Sequence, residues 1–371
     1  MPKPLDETEQ SPLVEMTPPG TMERAWLATG YDEVRAVLGD TERFTTLPPA
    51  DTVEDSRRLV QPGNLLHYDP PEHTRLRKML TGEFTLRRVR ALEPLVEGIV
   101  TERLDAMEGA EQPIDLVPHF VWPTTSLIGC TLLGIPRDDQ AELARHLDTN
   151  RIDNPDRDQR DAAGNSYLIY LSKFTARKRR DPGEDLLGRL IQRHGGDLSP
   201  AELTGTAATL LASFIQNVGG TLGLGILALL ENPDQLALLK KHPEYIDHAV
   251  EELIRSVSII SHASPRTALE DVTLAGKTVK AGESIACSLL GANNTASPGE
   301  PQEPIDITRD NSRHMAFGHG IHYCLGAPLT RMELRIAIAE LLRRFPEVRL
   351  AVPRDELRFT SKAVETLPVA W

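Results

Sequence analysis

Apolar residues recur at helical spacing over most of the chain. The runs 32–38, 72–80, 86–107, 140–147, 167–180, 200–230, 233–240, 245–256 and 329–344 each predict an amphipathic helix. Two carry clear start signals, Ser199-Pro200 with Glu202 close behind and Asn232-Pro233-Asp234. Strand-like alternation is scarcer and shorter, at 24–29, 271–274, 277–279 and 283–288, several bounded by glycine turns. The pattern therefore predicts a mainly α fold with small β-sheets.

The run 200–230 is nearly uncharged from Thr204 on, so a helix there must lie inside the protein. Gly219, Gly220, Gly223 and Gly225 weaken it by about 1 kcal/mol each relative to alanine. Either something approaches its backbone closely or bends it, or the glycines serve ordinary helix packing. The Pro- and Gly-rich stretches 45–63 and 297–304 are short and flanked by patterned segments. They read as loops within a single domain spanning residues 1–371.

Composition removes several function classes. A formal net charge of −13 opposes general nucleic-acid binding and suits solubility. No run resembles a stretch of 18 or more apolar residues, and the first residues lack the basic-then-apolar order of a signal sequence, so a cytoplasmic protein without membrane partners is expected. Of the three cysteines, Cys130 and Cys287 lie in apolar runs as buried thiols usually do, and Cys324 does not.

Cys324 sits in Phe317-Gly318-His319-Gly320-Ile321-His322-Tyr323-Cys324-Leu325-Gly326, ahead of a predicted helix. Glycines on both sides permit a tight turn that aims backbone N–H groups at sulfur, and the helix brings its positive end to the same atom. Such a site stabilises a thiolate, which can donate electron density to a haem iron. A lone cysteine in a glycine loop is otherwise more often structural. Here the spacing Phe-Gly-x-Gly-x-His-x-Cys-x-Gly matches the signature of the cytochrome P450 family at every fixed position, and the chain resembles that family over nearly its whole length.

The resemblance implies a single α-rich, triangular-prism domain with a short N-terminus, binding haem b through Cys324. Electrons would come from NAD(P)H through a reductase and a ferredoxin. Phe317, Gly318, Gly320 and Gly326 would shape the cysteine loop, and Glu252-Leu-Ile-Arg255 matches the family's buried Glu-x-x-Arg pair. His73, Arg77, Arg266 and His322 would hold the haem propionates. Arg75, Arg77, Lys78, Arg87, Arg88 and Arg90 form a basic island, either a solvated face or a docking surface for an acidic ferredoxin.

The chain departs from the common pattern on the oxygen side. Where oxygen-activating relatives carry an acid and an alcohol, it has Gln216 and Asn217, an amide pair able to position water or oxygen and unable to titrate near neutral pH. Glu303-Pro304-Ile305 replaces a stretch whose arginine usually supports Glu252 and Arg255, leaving Arg309 or Arg313 to compensate. These features resemble the P450s that cross-link aromatic side chains in glycopeptide-antibiotic biosynthesis. There a Pro136-Arg137-Asp138-Asp139 segment would help dock a recruitment domain of a nonribosomal peptide synthetase bearing the carrier-bound peptide. A hydroxylase or epoxidase of a natural-product intermediate is the alternative enzyme, and a non-catalytic haem-binding scaffold the alternative of another class. The polar stretch 146–164 is expected to be a loop beside the open distal face.

Overall fold

The computed structural model describes residues 11–16, 25–47, 61–140, 143, 157–294, 304–309, 313–360 and 363–371. Helices dominate: α1 (Tyr31–Gly39), α2 (Glu72–Thr81), α3 (Leu86–Ala91), α4 (Glu93–Glu108), α5 (Trp122–Leu133), α6 (Arg157–Arg180), α7 (Leu186–His194), α8 (Pro200–Ala212), α9 (Val218–Glu231), α10 (Pro233–Lys241), α11 (Ile246–Val257), α12 (Leu289–Asn294) and α13 (Ala327–Arg344). The strands are β1 (Leu13–Met16), β2 (Ala25–Ala28), β3 (Phe44–Thr45), β4 (Ile114–Asp115), β5 (His262–Ala268), β6 (Val272–Leu274), β7 (Lys277–Val279), β8 (Ser284–Ser288), β9 (Arg349–Leu350) and β10 (Pro368–Ala370). They form a five-stranded sheet of order β1-β2-β8-β5-β3, a three-stranded sheet β4-β10-β9 and the hairpin β6-β7.

The predicted central helix exists, with a break in its winding. Ser199 and Glu202 close a reciprocal capping box at its start, and α8 passes through one π-helical stretch, Ser213–Asn217, into α9. By length and composition Pro200–Glu231 is apolar enough to cross a membrane, contrary to the expectation that no segment approaches that character. In the fold it is largely buried among the other helices. Close approach explains one of its glycines, because a Cβ added at Gly219 would lie 2.4 Å from the Trp122 ring on α5.

Two expectations of local structure need correction, and a third falls mostly outside the described residues. The predicted run 86–107 divides into α3 and α4, since Pro94 in the first turn of α4 cannot continue a helix from the preceding turn. Of the expected loop 146–164, the part from Arg157 on has helical backbone in α6, and the remainder falls outside the described residues. Most of the predicted helix 140–147 also falls outside them.

Two hydrophobic clusters organise the interior. The larger surrounds α8 and α9, with Leu211, Ile215 and Leu222 at its centre, and the smaller packs α1 against the five-stranded sheet around Trp26, Phe44 and Ile285. The cysteine loop lies where they meet. Met315 belongs to the smaller cluster, and Ala316, Phe317 and Leu325 pack on the larger.

Candidate active site

The cysteine loop is built by two glycines in left-handed backbone. Gly318 (φ +73°) donates its N–H to the Met315 carbonyl at 2.7 Å. Gly320 (φ +69°) passes so close to α1 that an added Cβ would lie 2.2 Å from the Leu38 carbonyl oxygen. The loop then returns on itself, the Cys324 N–H donating to the Phe317 carbonyl at 2.9 Å. Helix α13 begins three residues beyond the cysteine, with Pro328 in its first turn.

Burial pushes the Cys324 thiol above its ordinary value. Backbone hydrogen bonds from Gly326 and Ala327, and the positive charges of Arg77 and Arg331, work in the opposite direction and favour the anion. The two N–H groups aimed at sulfur are the arrangement read from the glycine spacing. Cys130 and Cys287, by contrast, are pushed up to about 12 by burial and are inert structural thiols.

Above the cysteine opens a cavity of about 450 Å³. Cys324 and Gly326 line one side and Phe214, Asn217 and Thr221 on the central helix the other. Thr221 donates its hydroxyl to the Asn217 carbonyl at 2.8 Å. Of the amide pair predicted from the sequence, Asn217 lines the cavity and Gln216 does not, because adjacent residues on a helix point to different sides. None of the described lining residues is a carboxylate.

At the edge of the cavity four nitrogen-bearing side chains converge. His73, on α2, is 2 % exposed, and its ring centroid lies 4.5 Å from that of His322. Buried Nε2 of His73 and both ring nitrogens of His322 have no hydrogen-bond partner. Burial first, then the positive charge of Arg266, pulls His322 down to about 3, so this imidazole is neutral. Arg266 is buried on β5, where the ladder with β8 is irregular between Ala263 and Arg266 and Pro265 supplies no N–H. Its described hydrogen bonds go to the backbone carbonyls of Ser264 and Pro265, at 2.7 and 3.3 Å. Arg77 reaches the Tyr323 carbonyl at 2.5 Å.

Unsatisfied buried imidazole nitrogens beside two guanidiniums are costly in an apolar protein interior unless a polar partner arrives. Two carboxylates of a planar, mostly apolar cofactor meet that need, and the cavity is apolar above them. The residues present thus fit a haem: His73, Arg77, Arg266 and His322 would hold its propionates and Cys324 its iron.

Behind the loop, Arg255 donates from Nε and Nη2 to both oxygens of Glu252, at 2.7 and 2.8 Å, with both residues buried on α11. Its Nη1 donates to the Asn293 carbonyl at 2.6 Å, and the Asn293 side chain accepts from the Met315 N–H. The pair therefore anchors the segment that leads into the cysteine loop. Arg309 supplies the compensating cation, with Nε 3.6 Å from Glu252 Oε1.

The two predicted partner surfaces are more internally paired than their sequences suggest. Arg75 is bonded to Glu202 and to the Asp197 carbonyl, and Arg88 lies 3.6 Å from buried Glu83. Lys78 and Arg87 are exposed. Arg137 pairs with Glu102 at 2.8 Å, Asp139 accepts from the Tyr170 hydroxyl at 2.7 Å, and Pro136 and Asp138 are exposed.

The cytochrome P450 family profile matches residues 20–221 and 172–361. The chain belongs to the cytochrome P450 family. It is 42% identical over 348 residues to cytochrome P450 165A3 of Amycolatopsis orientalis, covering 93% of this chain and 88% of that protein. Among solved structures it is similar to OxyE, a P450 involved in teicoplanin biosynthesis, with 44% identity, a TM-score of 0.89 and coverage of 97% and 94% of the two chains. OxyC, implicated in an oxidative C–C coupling reaction during vancomycin biosynthesis, gives 40% identity, a TM-score of 0.86 and coverage of 97% and 91%. Membership implies a haem and an external supply of electrons. It also accounts for the helical body with small sheets anticipated from the periodicity.

Sequence reasoning missed most of the cavity wall. Phe84 and Phe214, whose ring centroids are 6.2 Å apart, both line it, yet each reads in sequence as an ordinary core residue. It also missed a polar cluster of Glu251, His314 and Arg331 under the loop. The adjacent acids Glu251-Glu252 were the available signal, since only one of two neighbours on a helix can face the core.

Proposed function

We propose that this P450 is a haem-thiolate oxidase that joins aromatic side chains of a carrier-bound nonribosomal peptide in antibiotic biosynthesis. The observation that carries the reading is the cavity opposite Cys324, where Asn217 presents an amide and the described lining holds no carboxylate to deliver protons. Bound haem, given oxygen and electrons, supplies a one-electron oxidant. Ring coupling removes two hydrogens and inserts no oxygen, so it asks less of a proton relay than hydroxylation does.

In this reading Cys324 ligates the iron, and His73, Arg77, Arg266 and His322 hold the propionates. Neutral His322 donates one N–H, and the guanidiniums supply the charge. Gly318, Gly320 and Gly326 keep the loop tight, Phe317 covers the sulfur side, and Asn217 orients water or oxygen. Lys78 and Arg87 offer exposed charge to an acidic ferredoxin, which passes electrons from NAD(P)H by way of a reductase. Pro136, Arg137, Asp138 and Asp139 meet the recruitment domain of the synthetase. The kinship with OxyC, implicated in an oxidative C–C coupling, supports the reaction, and that with OxyE supports a place in antibiotic biosynthesis.

Turnover of an aromatic peptide on its carrier protein, with ferredoxin, reductase and NAD(P)H, tests the proposal by product mass. The expected product is lighter by two hydrogens. A product heavier by one oxygen and no coupled species would make the protein a hydroxylase, and no product despite normal haem loading would make it a scaffold.

A further inference from the structure

Arg331 is held in one place from three sides. It projects from the second turn of α13, and its guanidinium donates to both carboxylate oxygens of Glu251 on α11, one at 3.0 Å through Nη2. Its Cζ stands 4.6 Å from the centroid of the Phe317 ring, within cation–π range. Its Nη1 is 3.5 Å from the Tyr323 hydroxyl. Phe317 and Tyr323 bracket the cysteine loop, whose rings are themselves in contact with centroids 6.2 Å apart.

Glu251 is fixed in turn. The Ala316 N–H donates to Nδ1 of His314 at 3.2 Å, which leaves the proton on Nε2. That nitrogen donates to Glu251 Oε2 at 2.9 Å. The His314 side chain is 4 % exposed, so solvent does not compete for this bond. Burial works against the Glu251 charge, but the bonds from His314 and Arg331 outweigh it and hold the carboxyl at about 2. The acid is ionised throughout the neutral range, and the guanidinium beside it stays paired.

From this geometry we infer that Arg331, locked by Glu251 and His314, is a positioning residue for the haem-thiolate centre, bracing Phe317 and holding a positive charge beside the Cys324 sulfur. The buried Glu252–Arg255 pair braces the approach to the loop from within α11. Glu251, one residue earlier, braces the loop from the other side through Arg331. A fixed cation near sulfur opposes electron donation from the thiolate to iron and favours the reduced haem. The guanidinium, with Cζ 4.6 Å from the Phe317 ring centroid, opposes displacement of the loop. Lysine keeps the charge and loses the guanidinium's contact with the ring.

The inference rests on Cys324 as the iron ligand, so the wild-type holoenzyme is measured first. If it lacks the thiolate-type absorption band on reduction with dithionite under carbon monoxide, the ligand assignment fails. With that band present, Arg331→Gln is expected to move the haem reduction potential to a more negative value and to lose part of the band to the shorter-wavelength form. Arg331→Lys restores most of the potential and less of the band. Glu251→Gln, isosteric and partly exposed, is expected to keep its fold, checked by its unfolding temperature, and to lose a similar share of the band, and Arg331→Gln/Glu251→Gln to lose no more than Arg331→Gln alone. Chemical reduction keeps partner docking out of both readouts. An unchanged band in Glu251→Gln, an unchanged potential in Arg331→Gln, or additive losses in the double variant would overturn the inference.

Discussion

Glu333 is the clearest case of a single side chain whose setting contradicts its sequence context. In Arg331-Met-Glu-Leu-Arg335 it looks like part of a charged helix face, yet it is buried and its Oε1 has no hydrogen-bond partner. Burial alone pushes its carboxyl up to about 8. The folded protein thus binds a proton that the unfolded chain releases near the ordinary carboxyl value of 4.5. Stability is undiminished below that value, falls as pH rises toward 8, and levels off above it, by an amount on the order of a few kcal/mol. Glu333→Gln should abolish this loss, so that thermal unfolding of the variant and the parent diverges steadily between weakly acidic and weakly alkaline buffer. Parallel profiles would show that the carboxyl is not buried in this way. The cysteine loop sits at the opposite extreme of legibility. The tight turn at Gly318 and Gly320 was readable because a positive φ is a local constraint that glycine spacing records, whereas Phe317, Gly326 and the role of the sulfur were readable only through the resemblance to the family signature.

Elements were legible where their apolar pattern had one period and opaque where it did not. Helix α5 went unread because Thr-Ser-Leu-Ile-Gly-Cys-Thr-Leu-Leu is apolar on nearly every face and offers no phase. Strand β5 was hidden by Pro265, which argues against a strand unless the ladder is irregular, as it is there. Helix α7 did leave a signal, Asp185 capping the Gly188 N–H at 3.0 Å. The central helix matters most for function, because adjacent residues on it point to different sides and only one of two neighbours can face the cavity. The sequence named Gln216 and Asn217 together, and only Asn217 lines the site. Replacing Asn217 with Ala should lower the product formed per NAD(P)H consumed several-fold, whereas Gln216→Ala should leave that ratio near the parent's. Equal losses in both variants would mean that the helix, and not the amide, governs the chemistry.

At the scale of the molecule, the site depends on elements far apart in sequence being held in register. β8 aligns antiparallel to β5 and so sets Arg266, α2 carries His73 and Arg77, and α11 fixes the approach to the loop through Arg255 and Asn293. Removing one member of a buried ion pair leaves the other charge uncompensated, which costs about 3–5 kcal/mol. Arg255→Leu should therefore lower the unfolding temperature and the haem retained after desalting together, with the effect at the low end because Arg309 remains near Glu252. A drop in stability with full haem retention would separate the pair from the site. Periodicity was a sound guide to a mainly helical fold, and the clustering of basic residues a weaker guide to surfaces, since Arg75 and Arg88 turned out to serve internal contacts. The most direct test of the whole account is the absorption spectrum of reduced, carbon-monoxide-bound Cys324→Ser. Haem held by its propionate contacts but lacking the thiolate-type band is the predicted result, and a retained band would contradict it.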